Sequence, residues 1–182
     1  MSTSALRRQA GVTLIELVVF IAIVGVATAG ILSVMSLTTQ HSVDPQLRKQ
    51  ALAIAESMLE EVELARFTYC DPQDPNAETA ASAADCGIPE GVGQEAGGVP
   101  RPFDNVNDYV AAYGTATAYT TDAQGSEWVA GQQYTAWVTI RQAALNGVAA
   151  TEGLHIQVRV PYADKEVLLD GYRLRYAPNS IP

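Results

Sequence analysis

Residues 12–37 read VTLIELVVFIAIVGVATAGILSVMSL, and Glu16 is the single ionisable residue within this apolar run. At ~1.5 Å rise per residue, a helix over the run exceeds the ~30 Å hydrocarbon core of a bilayer. The run is followed by a longer, more polar stretch of chain with nothing comparable in it. The sequence therefore predicts a transmembrane or filament-forming helix over 12–37 and a separate domain after it.

Glu16 is the residue that does not fit an ordinary membrane span. A carboxylate inside an apolar helix costs a few kcal/mol and by default marks function. A buried charge is tolerated when it is paired, so one interpretation is that Glu16 meets an opposite charge outside its own helix. The alternative is that Glu16 lies at the membrane interface with its carboxylate in water.

The leader, residues 1–11, is short and basic, with Arg7 and Arg8 before the apolar run. An ordinary secretory signal peptide is a competing interpretation, because Ala27-Thr28-Ala29 follows the A-x-A pattern. Cleavage after Ala29 would release a soluble periplasmic binding protein. Against it, the apolar run continues to Leu37 and carries an acid inside the would-be signal.

Beyond the run, Pro45 predicts a kink or a brief break in the helix. Apolar residues then recur at three- and four-residue steps, which is typical of an amphipathic helix. These residues are Leu47, Ala51, Ile54, Ala55, Met58, Val62 and Ala65. We expect an amphipathic continuation over 38–67 whose apolar face packs on the domain that follows.

Residues 68–182 are predicted to form a globular head. Its first part, to Pro102, is rich in turn and breaker residues and predicts a long loop. Cys70 and Cys86 lie in this loop, and an exported protein is expected to join them in a disulfide. Two free thiols in a reducing compartment are the alternative.

The C-terminal part of the head alternates in the manner of half-buried antiparallel strands. Tyr134 to Arg141 and Leu154 to Val160 predict two strands, and Pro161 is expected to end the second. A last strand, about Glu166 to Tyr176, carries tyrosines and a leucine on one face and arginines on the other. The fold class is α+β: a long N-terminal helix packed on a C-terminal antiparallel sheet.

The string from Gly11 to Val18, preceded by two arginines, resembles the class III signal of type IV pilins and type II secretion pseudopilins. The resemblance implies the pilin fold, a single pass through the bacterial inner membrane, and cleavage between Gly11 and Val12 by a prepilin peptidase. It also implies N-methylation of the new terminus and polymerisation with other pilins through the helix. Glu16 lies four residues beyond the new α-amine of Val12, so in assembly its carboxylate can pair with that amine on a neighbouring subunit. The family usually has Phe or Met at the position of Val12.

Three shorter strings narrow this resemblance to minor pilins of the MshD type, from the mannose-sensitive haemagglutinin pilus. They are 102–109 (PFDNVNDY), 158–161 (VRVP) with 171–176 (GYRLRY), and the segment 44–61. The resemblance implies a minor type IV pilin, located in the inner membrane before assembly and in a periplasmic or extracellular pilus afterwards. A type II secretion pseudopilin is the alternative within the superfamily.

Other functions find little support in the sequence. A formal net charge of −9 argues against nucleic acid as a partner. With two histidines and no GxSxG, HExxH, Walker or dinucleotide string, we expect neither an enzyme nor a cofactor. We also expect no metal. The acidic cluster at 104–108 could be read as a calcium site, but capping of turns by Asx side chains is favoured.

Aromatic side chains are concentrated in the head. They include Trp128, Trp137 and the tyrosines at 109, 113 and 119. These residues could form an adhesive face, but core and cross-strand packing is the commoner use of such residues and is preferred here.

Overall fold

The structure, a computed structural model, describes residues 11–94 and 100–179, apart from the side chains of 37–44. The chain divides into an N-terminal unit, residues 1–45, and a C-terminal unit, residues 46–182. The C-terminal unit includes the predicted head together with the second part of the helix, and it is called the head from here on. Helix α1, Leu14–Leu64, runs through both and contains Pro45. Of the two predicted effects of Pro45, the brief break is therefore wrong, and the kink stays a prediction. A proline removes one N–H donor from a helix, and the turns that follow it are held by packing in the head.

The head contains a four-stranded antiparallel sheet in the order β1-β2-β3-β4. The strands are β1 Thr117–Tyr119, β2 Ala136–Gln142, β3 Gly153–Tyr162 and β4 Lys165–Leu174. Every strand pairs with its neighbour in sequence, and the turn between β3 and β4 follows the pair Tyr162–Lys165. A long helix with this sheet is the α+β arrangement of the pilin fold, as the sequence predicts.

The core of the head lies between one stripe of α1 and one face of the sheet. On the helix, Ala51, Ala55, Met58 and Val62 are fully buried at the spacing expected of an amphipathic helix. The sheet contributes alternate residues of β2 and β3, including Val138, Ile140, Ile156 and Val158. Here the predicted inward faces are confirmed, because burial follows the period of two that strands impose.

Helix and sheet approach closely where β4 carries Gly171. A Cβ atom built at this position would collide with the carboxylate of Glu63 and come within 2.9 Å of Leu59 Cδ1. Gly171 is buried, so the missing side chain sets how near α1 lies to this edge of the sheet.

Several predicted boundaries differ from the structure. The helix ends at Leu64, before the predicted end near Phe67, and Arg66 then pairs with Asn105 in an isolated bridge. Strand β3 runs through Pro161 to Tyr162. The last β2–β3 pair is Trp137–Arg159, so Pro161 has a strand neighbour on one side only, and a proline is tolerated at such an edge.

The last strand alternates as predicted, but the side turned towards the helix carries Val167, Leu169 and Gly171. Tyr172 lies on the other side, half-exposed, and its ring is 5.0 Å from that of His155. Arg173 lies on the side of the helix, where its Nε donates to the carbonyl of Ala65, the residue that follows α1. On this strand the aromatic Tyr172 is therefore the outward side chain and Arg173 the one that meets the helix end, which is the reverse of what their polarity alone indicates.

Candidate processing and assembly site

The N-terminal end of α1 is fixed by Thr13. Its carbonyl accepts the N–H of Leu17 at 3.2 Å, and its hydroxyl Oγ1 accepts the N–H of Glu16 at 3.4 Å. An N-cap residue makes these two bonds, and Thr-x-x-Glu is the spacing of a capping box. Thr13 therefore stands immediately outside the helix that begins at Leu14.

The Gly11–Val12 junction lies just before this cap. Gly11, Val12 and Thr13 have no regular secondary structure and are exposed, Val12 to 70%. Among the described residues other than its chain neighbours, none has an atom within 4 Å of a Cβ built on Gly11. The backbone on both sides of the predicted cleavage point is thus accessible in the chain.

The first part of α1 is a long apolar segment whose residues are exposed. Residues Leu14–Ser36 have a mean hydropathy of 2.7 and are long and apolar enough to cross a membrane. None of this segment is buried within the described chain. The hydroxyl of Thr28 donates to the carbonyls of Val24 and Gly25, so this polar side chain is satisfied within the helix.

Glu16 lies in the first turn of α1, where a negative charge is favoured by the helix dipole. Its side chain is exposed, and none of the described residues forms an ion pair with it. The structure of one chain thus leaves both readings of Glu16 open, interface residue or partner of a neighbouring subunit. It does bring the predicted residues Gly11, Val12 and Glu16 into one short exposed segment.

A second acid of α1, Glu61, lies in the head and is fully engaged. Arg101 donates to both of its carboxylate oxygens, at 2.9 and 2.6 Å, and Tyr109 donates its hydroxyl at 3.0 Å. The ion pair is largely buried, with side-chain exposures of 10% for Arg101 and 11% for Glu61. Arg101 also donates to the carbonyl of Thr121. The pair fastens the loop after residue 100 and the segment after β1 to the helix.

Burial raises the pKa of Tyr109, and the neighbouring negative charge of Glu61 raises it further. Burial also raises the pKa of Tyr119, whose ring lies 4.5 Å from the Arg101 guanidinium. Both phenols therefore remain neutral hydrogen-bond donors at physiological pH. The sequence did not identify this cluster, because Glu61 and Arg101 are forty positions apart and Arg101 lies in a stretch that reads only as loop.

The loop of the head is tethered by the predicted disulfide between Cys70 and Cys86. Asp74, inside the loop, accepts backbone N–H groups of Ile88 and Asn76. These bonds hold the pKa of Asp74 below its ordinary value of 3.8. Among the described residues, Cys70, Asp74 and Cys86 are close enough to be considered as metal ligands. The two sulfurs are in a disulfide, so the group has no thiolate to offer.

The acidic segment around residue 105 caps a turn. Asn105 precedes a 3₁₀ turn, Val106–Tyr109, and its side-chain oxygen accepts the N–H of Asn107. Asn107 in turn accepts the hydroxyl of Tyr113. The preferred Asx-capping interpretation is therefore confirmed for Asn105. Tyr109 is fully buried in the core, and Tyr113, Tyr119 and Trp128 pack against that core.

The match to a known family lies in the N-terminal region, which contains the Gly11–Val12 junction and the first part of α1. Residues 6–32 match the family model described as the prokaryotic N-terminal methylation motif. No curated protein and no solved structure matches the chain. The matched segment contains Gly11, Val12 and Glu16, and with the α+β fold it supports the type IV pilin and pseudopilin superfamily.

The same match defines what kind of precursor this is. A prepilin methylation motif implies processing by a prepilin peptidase and assembly with other pilins. Together with the exposed apolar helix, it is consistent with anchoring in a membrane before assembly. The match thus supports a pilin-like or pseudopilin precursor, and the predicted processing and assembly residues Gly11, Val12 and Glu16 all lie within the matched segment.

Proposed function

We propose that the chain is a minor type IV pilin, a structural and assembly subunit of a bacterial surface pilus used in adhesion or motility. Prepilin peptidase would cut after Gly11 while the helix spans the inner membrane. The mature subunit would then join a periplasmic and extracellular filament. One observation carries the proposal: an exposed, irregular Gly11–Val12 junction leads directly into an apolar helical segment, none of which is buried by the described residues.

The apolar helix needs surroundings that the chain itself does not supply. In the membrane these are lipids, and in a filament they are the helices of other pilins. Gly25 and Ala29 lie four residues apart on this helix, and small residues at that spacing let helix backbones approach closely. This surface supports a structural role for the chain rather than a catalytic one.

The soluble periplasmic alternative requires cleavage after Ala29. Ala29 lies inside α1, fifteen residues after its first residue, Leu14. A peptide bond there is part of the helical hydrogen-bond ladder, whereas the Gly11–Val12 bond lies outside it. The geometry therefore favours processing at Gly11.

The N-terminus of the membrane-extracted chain tests the proposal directly. Intact mass or N-terminal sequencing should give a start at Val12, and a start at Gly30 would refute the pilin proposal. A matched pair of variants adds a control: Gly11→Leu should retain the leader, while Ala29→Leu should be processed as wild type. The reverse pattern would favour the signal-peptide alternative.

A type II secretion pseudopilin would be processed in the same way, so a second experiment separates the two machines. Filaments sheared from intact cells should contain the mature chain, detected by antibody and by its mass. Absence from sheared filaments, combined with loss of protein secretion in a deletion strain, would instead assign the chain to a secretion pseudopilus.

A further inference from the structure

The cap at the start of α1 lies one residue after the peptide bond proposed for cleavage. Thr13 Oγ1 accepts the N–H of Glu16 at 3.4 Å, and the Thr13 carbonyl accepts the N–H of Leu17 at 3.2 Å. The N-cap residue takes non-helical backbone angles while its side chain satisfies a donor of the first turn. A helix that starts in this way does not run back over Val12 and Gly11.

This boundary bears on cleavage because a peptidase needs access to the backbone of its substrate. Inside a helix, the C=O groups before the last four and the N–H groups after the first four are used by the i to i−4 hydrogen bonds and are not offered to another molecule. The residues before Gly11 do not oppose a longer helix, since Gln9 and Ala10 both have good helix propensity. Gly11 itself is a poor helix former, and the cap at Thr13 adds a defined start of the helix after the cleavage point.

We propose that Thr13 is a positioning residue for leader removal: by capping α1, its hydroxyl keeps the Gly11–Val12 bond outside the helix and open to prepilin peptidase. The inference rests on the proposed function. The reaction is hydrolysis, in which water adds across the amide, the C–N bond breaks, and a carboxylate at Gly11 and an α-amine at Val12 result. Thr13 takes no part in the bond changes and acts only through the backbone.

A different role for Thr13 would be a direct contact with the peptidase. The two roles rank substitutions differently. A cap is kept by Ser, Asn or Asp and lost in Val or Ala. A contact that recognises the shape of threonine is best kept by Val, its near-isostere, and is lost in Asn.

The experiment measures initial cleavage rates of the full-length chain by prepilin peptidase in detergent micelles, for wild type and for Thr13→Ser, Thr13→Asn, Thr13→Val and Thr13→Ala. The Ser and Asn variants should be cut at least as fast as wild type. The Val and Ala variants should be cut about fivefold more slowly, which corresponds to the ~1 kcal/mol that an N-cap contributes.

Amide hydrogen exchange on the same uncleaved chains gives an independent readout. In Thr13→Val, the amide of Glu16 should exchange faster because its acceptor is gone, while Thr13→Asn should keep it protected. Two results would overturn the inference while leaving the proposed function intact. One is a cleavage rate of Thr13→Val equal to that of wild type, and the other is a cleavage rate of Thr13→Asn as low as that of Thr13→Val. A wild-type chain that is not cut after Gly11 at all would overturn the proposed function, and this inference with it.

Discussion

The two halves of helix α1 each carry an acid of special position, and the two acids are satisfied in opposite ways. Glu61, in the head, is largely buried and is paired with Arg101 through both oxygens. Glu16, in the apolar half, is exposed, and none of the described residues forms an ion pair with it. The acid in the head therefore has its countercharge within the chain, whereas the acid in the apolar half has none among the described residues.

The apolar side chains show the same contrast. In the head, the helix buries one stripe against the sheet and leaves its charged side in water. In Leu14–Ser36 the apolar residues lie on all sides, and none is buried by the described chain. The same helix thus contributes to a buried core in the head, whereas the apolar side chains of its first part are exposed. Mutations in the first part should change folding, and mutations in the second part should change assembly.

The largest effect is expected for Glu16→Gln. In a filament, a neighbour's α-amine would lose its buried countercharge, which costs ~3–5 kcal/mol and reduces incorporation by well over tenfold. Leader cleavage and the fold of the head should be unchanged. The measurement is the ratio of mutant to wild-type subunit in sheared filaments, at matched membrane levels of processed protein.

Glu56→Gln provides the control, because Glu56 is exposed on the head part of the same helix and should enter filaments normally. Wild-type abundance of Glu16→Gln in filaments would show that Glu16 does not pair with a neighbour. The membrane-interface interpretation would then be the better one.

Glu61→Gln should lower the stability of the head, which Glu16→Gln should leave unchanged. It leaves Arg101 charged and largely buried without its countercharge, so the head should lose ~3 kcal/mol of unfolding free energy. Denaturant unfolding of the detergent-solubilised chain, followed by tryptophan fluorescence, measures the change. Leader cleavage should remain normal.

The double variant Glu61→Leu with Arg101→Met tests the cause. Replacing a buried ion pair by apolar residues is often close to neutral, so the double variant should regain most of the stability lost in Glu61→Gln. Equal destabilisation in both proteins would mean that the charge of Arg101 is not the cause.

Gly171→Ala should have a smaller effect, because the added methyl group meets side chains and not backbone. Overpacking between α1 and β4 is expected to cost ~1–2 kcal/mol in unfolding free energy, since Glu63 and Leu59 must move. In a Glu63→Ala background the same substitution should cost less. An unchanged cost in that background would show that Glu63 does not limit the approach of the helix.

The smallest effect is expected in the disulfide-tethered loop, at Asp74. Its folded pKa is lowered, so its carboxylate stabilises the loop fully above the ordinary value of 3.8, and this contribution is lost as the pH falls through the folded pKa. Asp74→Asn should make the Ile88 amide exchange faster at neutral pH. The difference from wild type should shrink below about pH 4, and a difference that persists there would contradict the assignment.

Much of this architecture is visible in the sequence because local periodicity encodes it. The apolar run, the amphipathic stripe after Pro45 and the inward faces of β2 and β3 follow from spacings of 3.6 and 2. The prepilin string is likewise a continuous segment, so Gly11, Val12 and Glu16 can be selected without a structure.

What the sequence does not reveal depends on contacts between distant positions. The Glu61–Arg101 pair joins a helix to a loop, and strand β1, Thr117–Tyr119, is too short to show an alternation. The orientation of the last strand depends on the space that Gly171 leaves for α1, which no pattern within the strand reports. Pro161 likewise continues β3 because β2 begins at Ala136 and its pairs with β3 do not reach Pro161.

The order β1-β2-β3-β4 has a consequence for how fast the head folds. Since each strand pairs with the next in sequence, the sheet can form by successive hairpins, of which the β1–β2 hairpin closes the longest loop, residues 120–135. The core between α1 and the sheet joins residues much further apart in sequence, since Met58 and Ile156 belong to one buried cluster. Docking of the helix, and not formation of the sheet, should therefore limit the folding rate, and a newly exported head would expose its unpaired strand edges only briefly.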